Sequence, residues 1–187
     1  MHINEFATFP SVFTHEQMDQ IVRMTDHIEA GAAQVLSPDG ESSISRNTVR
    51  RCTSGWLHQN RNTDHLFSRI WNTVSQVNDK RFGFEVDSME PLQYLRYGPL
   101  NFFRWHTDNG SDPVKRRKLT AIINLTGPRD HLGGRLQIKG DGPKSGPLRQ
   151  RGCMTVFPSH LLHRATPVWL GERKVLVAWI SGKRPLR

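Results

Sequence analysis

Apolar positions along the chain fall into two rhythms, and the change comes near the middle. In the first half they recur at helical spacing. Met18, Ile21, Val22 and Ile28 form one stripe, and Leu66, Phe67, Ile70, Trp71, Val74 and Val77 form a cleaner one. Side chains three and four apart share a helix face, so each stripe predicts an amphipathic helix with a packing face. Thr14 followed by Gln17 has the pattern of a capping box, with Phe13 and Met18 as its hydrophobic staple. The second helix is expected over Asp64 to Val77. Between the two, Ser43 to Arg51 reads as an exposed strand or loop.

From Pro91 onward short β-like runs replace the helical stripes: Leu92–Tyr97, Phe102–Thr107, Leu119–Leu125, Gly134–Ile138, Cys153–Phe157, His163–Val168 and Lys174–Ile180. Gly, Pro and Asn-rich turns separate them, among them Asn109 to Pro113, Gly133-Gly134 and Gly140 to Pro143. Many short strands with such punctuation predict a sandwich or jelly roll. The expected fold is mostly β: a double-stranded β-helix core over residues 91–184, with N-terminal helices from residues 1–90 packed outside it. The 187 residues suit a single domain.

Composition narrows the class. No run approaches the length of a membrane span, and Met1 to Pro10 lack the pattern of a secretory signal. Two isolated cysteines, Cys52 and Cys153, fit a reducing, cytoplasmic setting. The net charge of +9 favours anionic partners in general. The charges are scattered, and the one dense run, Lys115 to Lys118, has no interleaved aromatics. Nucleic acid is therefore not an expected partner. Nothing in the sequence sets an oligomeric state.

The chemistry is concentrated in Trp105-His106-Thr107-Asp108. On an extended strand, side chains two apart share a face, so His106 and Asp108 converge while Trp105 and Thr107 point away. His163 lies 55 residues beyond Asp108, and Arg173 ten beyond His163. His160 competes with His163 as a third ligand, and His163 is preferred because it begins a strand-like run. Two histidines and a carboxylate make the facial triad of a non-haem Fe(II) site, and a following arginine can clamp a 2-oxo acid bidentately. Zinc hydrolases usually add a glutamate base on a helical His-Glu-x-x-His, which is missing here. In a flat hairpin turning at Gly171, six strand residues would put His163 and Arg173 roughly 20 Å apart. The two are therefore expected on different, facing sheets.

These residues carry a resemblance. Tyr97-Gly98, His106-Thr107-Asp108, Leu119 to Leu125, Gly133-Gly134-Arg135-Leu136, Phe157-Pro158-Ser159, His163 to Val168 and Gly171-Glu172-Arg173 fall in register. Together, Gln93 to Arg184 resemble the prolyl-4-hydroxylase-like branch of the Fe(II)/2-oxoglutarate dioxygenases. Two positions depart from its pattern: Leu100 stands near a usual glycine, and Arg135 replaces a usual acidic residue. The resemblance implies His106, Asp108 and His163 as catalytic iron ligands. It implies Arg173 on the distal carboxylate of 2-oxoglutarate, with Tyr97 and Asn124 as further contacts and Trp179 lining the pocket. It implies Fe(II), 2-oxoglutarate and O₂, with ascorbate as a reductant. The implied reaction hydroxylates an unactivated C–H of an amino acid, peptidyl side chain or small natural product, releasing succinate and CO₂. The carboxylate of Asp108 argues for hydroxylation over halogenation. The competing readings are a nucleic-acid oxidative dealkylase and a non-catalytic basic β-barrel binding module. Val35–Gln59 and the Asn109–Lys118 loop are the expected substrate-selecting elements.

Overall fold

The computed structural model describes residues 5–33, 35–36, 43–44, 48–110, 114–142 and 146–184. Part of the expected substrate-selecting region, at 37–42, 45–47 and 111–113, lies outside the described residues. In chain order the strands are β1 (Ala7–Phe9), β2 (Gly31–Ala32), β3 (Val35–Leu36), β4 (Ser43–Ile44), β5 (Arg50–Arg51), β6 (Thr53–Leu57), β7 (Ser88–Met89) and β8 (Leu92–Tyr97). They continue with β9 (Phe102–His106), β10 (Arg117–Asn124), β11 (His131–Gly133), β12 (Leu136–Ile138), β13 (Met154–Pro158), β14 (His163–Ala165), β15 (Val168–Gly171) and β16 (Arg173–Ser181).

Two helices precede the main run of strands. Helix α1 spans His15–Asp26, and its capping box closes as the sequence predicts: Gln17 N–H donates to Thr14 Oγ1, and Thr14 N–H to Gln17 Oε1. Helix α2 spans Asp64–Val77. It runs on through a π-helical turn, Asn78–Phe82, to a left-handed Gly83. The Asn78 amide holds that turn by donating to Phe84 O and accepting from Phe84 N–H.

The strands build two main sheets. The larger has eight strands in the order β1-β13-β10-β16-β8-β6-β2, with β7 also paired to β16. The smaller is β12-β14-β9-β5. Alternation along the large sheet sorts its side chains. One face carries Leu92, Tyr94, Leu119, Ala121, Ile123, Leu176, Ala178 and Ile180, which share a buried cluster with Met18 and Ile21 of α1 and with Leu66, Phe67, Ile70 and Val74 of α2. The other face carries Leu95, Tyr97, Ile122, Val175, Val177 and Trp179, which pack with Ala165, Leu136 and Ile138 of the small sheet.

Several strands differ from the sequence reading. The run expected over His163–Val168 is two strands in different sheets, broken at Thr166-Pro167, where proline has no N–H for a ladder. His163 and Arg173 stand on different sheets, as their spacing requires. Arg50 was expected on an exposed segment and is buried instead. Leu100, which stands near a usual glycine of the resembling family, adopts φ 63°, the left-handed region that glycine favours.

Candidate metal centre

Strand pairing sets His106 and His163 directly opposite each other, at the ends of β9 and β14. Asp108 lies two residues past the end of β9, not on an extended strand. Its N–H donates to Ser159 O at 2.8 Å, which draws the chain across to the β13 end of the large sheet. One candidate ligand atom from each of the three residues lies within 4.8 Å of the other two. His106 Nε2 is 3.6 Å from Asp108 Oδ1, and His163 Nε2 is 3.4 Å from Asp108 Oδ2. His160 is not part of this group.

The neighbours prepare these atoms for a metal. His106 Nδ1 faces Arg104 O at 2.7 Å, and His163 Nδ1 faces Leu161 O at 3.0 Å. A carbonyl accepts only a proton, so each Nδ1 carries the hydrogen and each Nε2 keeps its lone pair. Thr120 Oγ1 donates to Asp108 Oδ2 at 2.8 Å and lies 3.0 Å from Ser159 Oγ. Phe103 stacks on His106 with ring centres 3.4 Å apart, and Phe157 packs edge-on to His163 at 4.7 Å.

A β-bulge makes that stack. Ala165 opposes Phe103 and His163 opposes His106, so three steps on β9 match two on β14. Strict alternation would send Phe103 and His106 to opposite faces, whereas the extra residue lets both point inward. Arg164 and Trp105 take the outer face together, with the guanidinium 4.7 Å from the ring centre. No sequence signal marks this bulge.

The electrostatics favour ligand-ready protonation states. Burial pushes His106 down to about 3, helped by the adjacent His163 and Arg50 and opposed by Asp108. Burial alone would raise Asp108. The two imidazoles outweigh it, with help from the Trp179 indole and the Thr120 hydroxyl, and bring the carboxyl to about 2. At neutral pH the groups are a neutral imidazole and a carboxylate. Trp179 Nε1 is buried with no partner at hydrogen-bonding distance, so the indole acts on Asp108 over a longer range.

A buried cation lies on the large sheet. Arg173 opens β16, is 5% exposed, and sits with its guanidinium carbon 5.5 Å from the ring centre of Tyr97. No carboxylate among the described residues pairs with it. Burial lowers its pKa, but a guanidinium keeps its charge inside a protein. Glycine makes the room: a Cβ on Gly134 would stand 3.1 Å from Arg173 Cδ and 3.2 Å from His131 Nδ1. Tyr97 is fully buried, and burial holds its hydroxyl neutral, well above the usual phenol range.

Asn124 is on β10, where its amide donates to Leu148 O at 2.8 Å and so ties down the 148–150 loop. Three side chains went unread in the sequence. Arg50 donates to Gln93 Oε1 at 3.0 Å and lies over the Phe103 ring, beside the histidines. His131 is buried next to Arg173, and Arg149 reaches Gly133 O at 3.2 Å.

Three clustered ligand atoms, and a buried cation with no counter-ion among the described residues, fit a divalent iron and a dicarboxylate.

Comparison with known proteins gives the same result. Residues 92–181 match the sequence profile of the 2OG-Fe(II) oxygenase superfamily. A PKHD-type hydroxylase of Picosynechococcus is 32% identical over 165 residues, covering 79% of this chain and 75% of that protein. One from Colwellia psychrerythraea is 33% identical over 179 residues, covering 94% and 78%. Among solved structures, a Pseudomonas putida prolyl-4-hydroxylase superposes with a TM-score of 0.75 at 21% identity, covering 98% of this chain and 94% of that one. A Trichoplax adhaerens prolyl hydroxylase, in complex with a hypoxia inducible factor peptide fragment, gives 0.74 at 15% identity, covering 96% and 84%. The chain belongs to the 2OG-Fe(II) oxygenase superfamily, as a hydroxylase that depends on Fe(II), 2-oxoglutarate and O₂.

Proposed function

We propose that this enzyme hydroxylates an unactivated C–H bond of a peptidyl side chain, in a reducing cytoplasmic setting. The observation that carries this reading is the placement of a ligand set and a buried cation on two different sheets. Three ligand atoms converge from the ends of β9 and β14 and the turn after β9, and Arg173 stands on β16 with no carboxylate partner among the described residues. The peptidyl class rests on the prolyl hydroxylase neighbours, one of which holds a peptide fragment. Free amino acids and small natural products are the wider class from which it is drawn.

His106 Nε2, His163 Nε2 and the Asp108 carboxylate would hold the iron. Bound Fe(II), with 2-oxoglutarate and O₂, supplies the oxidant, and succinate and CO₂ leave as co-products. The chain's own work is positioning. Leu161 O and Arg104 O fix the tautomers, and Thr120 fixes the carboxylate. Arg173 would take the far carboxylate of 2-oxoglutarate in a two-point grip, with the Tyr97 hydroxyl as a neutral donor beside it. Asn124 would act at second hand, through the loop it anchors. Phe157, Val168, Val175 and Val177 belong to the buried apolar layer between the two sheets, which excludes water.

The test is incubation of the iron-loaded enzyme with 2-oxoglutarate, O₂ and a library of proline-containing peptides. The expected result is succinate formation coupled to the gain of one oxygen atom on a peptide. Coupled oxidation of free amino acids with no peptide modified would contradict the peptidyl assignment.

A further inference from the structure

The outer face of the small sheet gathers charge that the sequence disperses. Its four strands, Arg50–Arg51, Phe102–His106, Leu136–Ile138 and His163–Ala165, contain no acidic residue. Arg51 and Arg104 are exposed, and Arg164 lies between the buried His163 and Ala165. The same face carries aromatic rings. Arg104 lies 5.9 Å from the centre of the Phe102 ring, and Trp105 sits between Arg164 at 4.7 Å and Lys139 Nζ at 5.1 Å. Arg164 also donates to Gln137 Oε1 at 2.6 Å, which holds its guanidinium in place across two strands.

At the β12 edge this face runs into a groove of about 520 Å³ lined by Trp105, Arg135, Gln137, Lys139 and Arg149 among others. No carboxylate lines it among the described residues. The Arg149 Nε in its wall is buried without a hydrogen-bond partner.

We infer that this face binds single-stranded nucleic acid, at a holding site on the back of the sheet that carries His106 and His163. The physical grounds are separate from the catalytic reading. Guanidiniums grip phosphate oxygens in pairs, and bases stack on aromatic rings and on the guanidinium groups lying over them without regard to sequence. A four-stranded sheet showing both on its solvent side is a platform suited to unpaired bases. An acidic peptide would satisfy the arginines but has no use for Trp105 and Phe102, so the aromatics decide between the two.

The linear sequence argues against this partner because its only dense basic run lacks aromatics. The pairing of β5, β9, β14 and β12 supplies the interleaving that the linear order conceals.

The test is fluorescence anisotropy of the full chain with a labelled oligothymidylate of about 12 nucleotides, within the span such surfaces cover. If three or four phosphates are neutralised, raising salt from about 50 to about 200 mM weakens binding roughly 20- to 50-fold. Arg51→Glu/Arg104→Glu changes only exposed side chains and should weaken binding at least tenfold. Trp105→Ala, with circular dichroism to confirm folding, should weaken it at least fivefold. A charge-matched control on exposed residues elsewhere, Arg23→Glu/Arg61→Glu, should change it less than twofold. The proposal is overturned if the oligonucleotide does not bind at low salt, if the control loses as much as the sheet variant, or if a polyglutamate of the same charge binds as tightly.

Discussion

The two faces of the eight-stranded sheet are made by the same strands and do opposite work. On β16, Leu176, Ala178 and Ile180 point toward the helices, while Arg173, Val175, Val177 and Trp179 point into the cavity. The helix side is mainly apolar and built to pack, with the Tyr94 hydroxyl buried in it and Lys174 at its edge paired to Asp26 of α1. The cavity side admits a buried guanidinium, an unpartnered indole N–H and, on β10, the Thr120 hydroxyl. Burying such groups costs free energy unless a partner is supplied, and two of them lack one. Apolar packing on the helix side offsets the cost of the polar groups buried on the opposite face.

This contrast can be broken one residue at a time. The largest effect is expected at Arg173. Arg173→Ala should cost about 2–5 kcal/mol in 2-oxoglutarate binding, read as KM, while leaving Fe(II) affinity within a few-fold. Arg173→Lys should recover part of it, because an ammonium gives a point charge without the paired geometry. On the other face, Ile123→Ala should cost about 2–5 kcal/mol of stability, read in denaturant, and leave KM unchanged where the protein is folded. A cofactor effect from Ile123, or a purely stability effect from Arg173, would erase the distinction.

Thr120→Val removes the hydroxyl behind Asp108 while keeping its shape. Metal affinity should fall about 10- to 100-fold, the range for groups that orient a ligand.

The metal-free protein should also show a pH dependence of stability. His106 is held near 3 in the fold against an ordinary 6.5. Below 6.5 the unfolded chain takes up a proton that the folded one refuses. The His106 contribution to stability is therefore full above 6.5 and is lost as pH falls toward 3. Asp108, held near 2, adds a loss in the same direction below its ordinary value of 3.8. Denaturant titration of His106→Gln should show a flatter profile between pH 6 and pH 4 than the parent, by about the slope of one proton. Equal slopes would contradict the buried neutral imidazole.

What the sequence made legible follows from how local each signal is. The α2 stripe and the Thr14–Gln17 box are short-range; α2 spans its stripe, whereas α1 ends at Asp26, short of the Ile28 that its stripe included. His106 and Asp108 could be read as a pair, and His163 as a partner, because a strand-like run marks its position. The bulge at Phe103–His106, the π-helical turn held by Asn78 and the burial of Arg50 depend on contacts made only after folding. The same holds for the basic outer face of the small sheet. Its arginines come from three strands far apart in the chain, and their charge becomes a surface only through register.

The central claim is that His106, Asp108 and His163 chelate one ferrous ion to which 2-oxoglutarate then binds. The most direct measurement is anaerobic titration of the apoprotein with Fe(II) and 2-oxoglutarate, following the visible charge-transfer absorption of the iron–oxo-acid chelate. The band should form with the parent and with His160→Ala, and should be absent from His163→Ala. A band that survives loss of His163, or disappears with His160, would contradict the account.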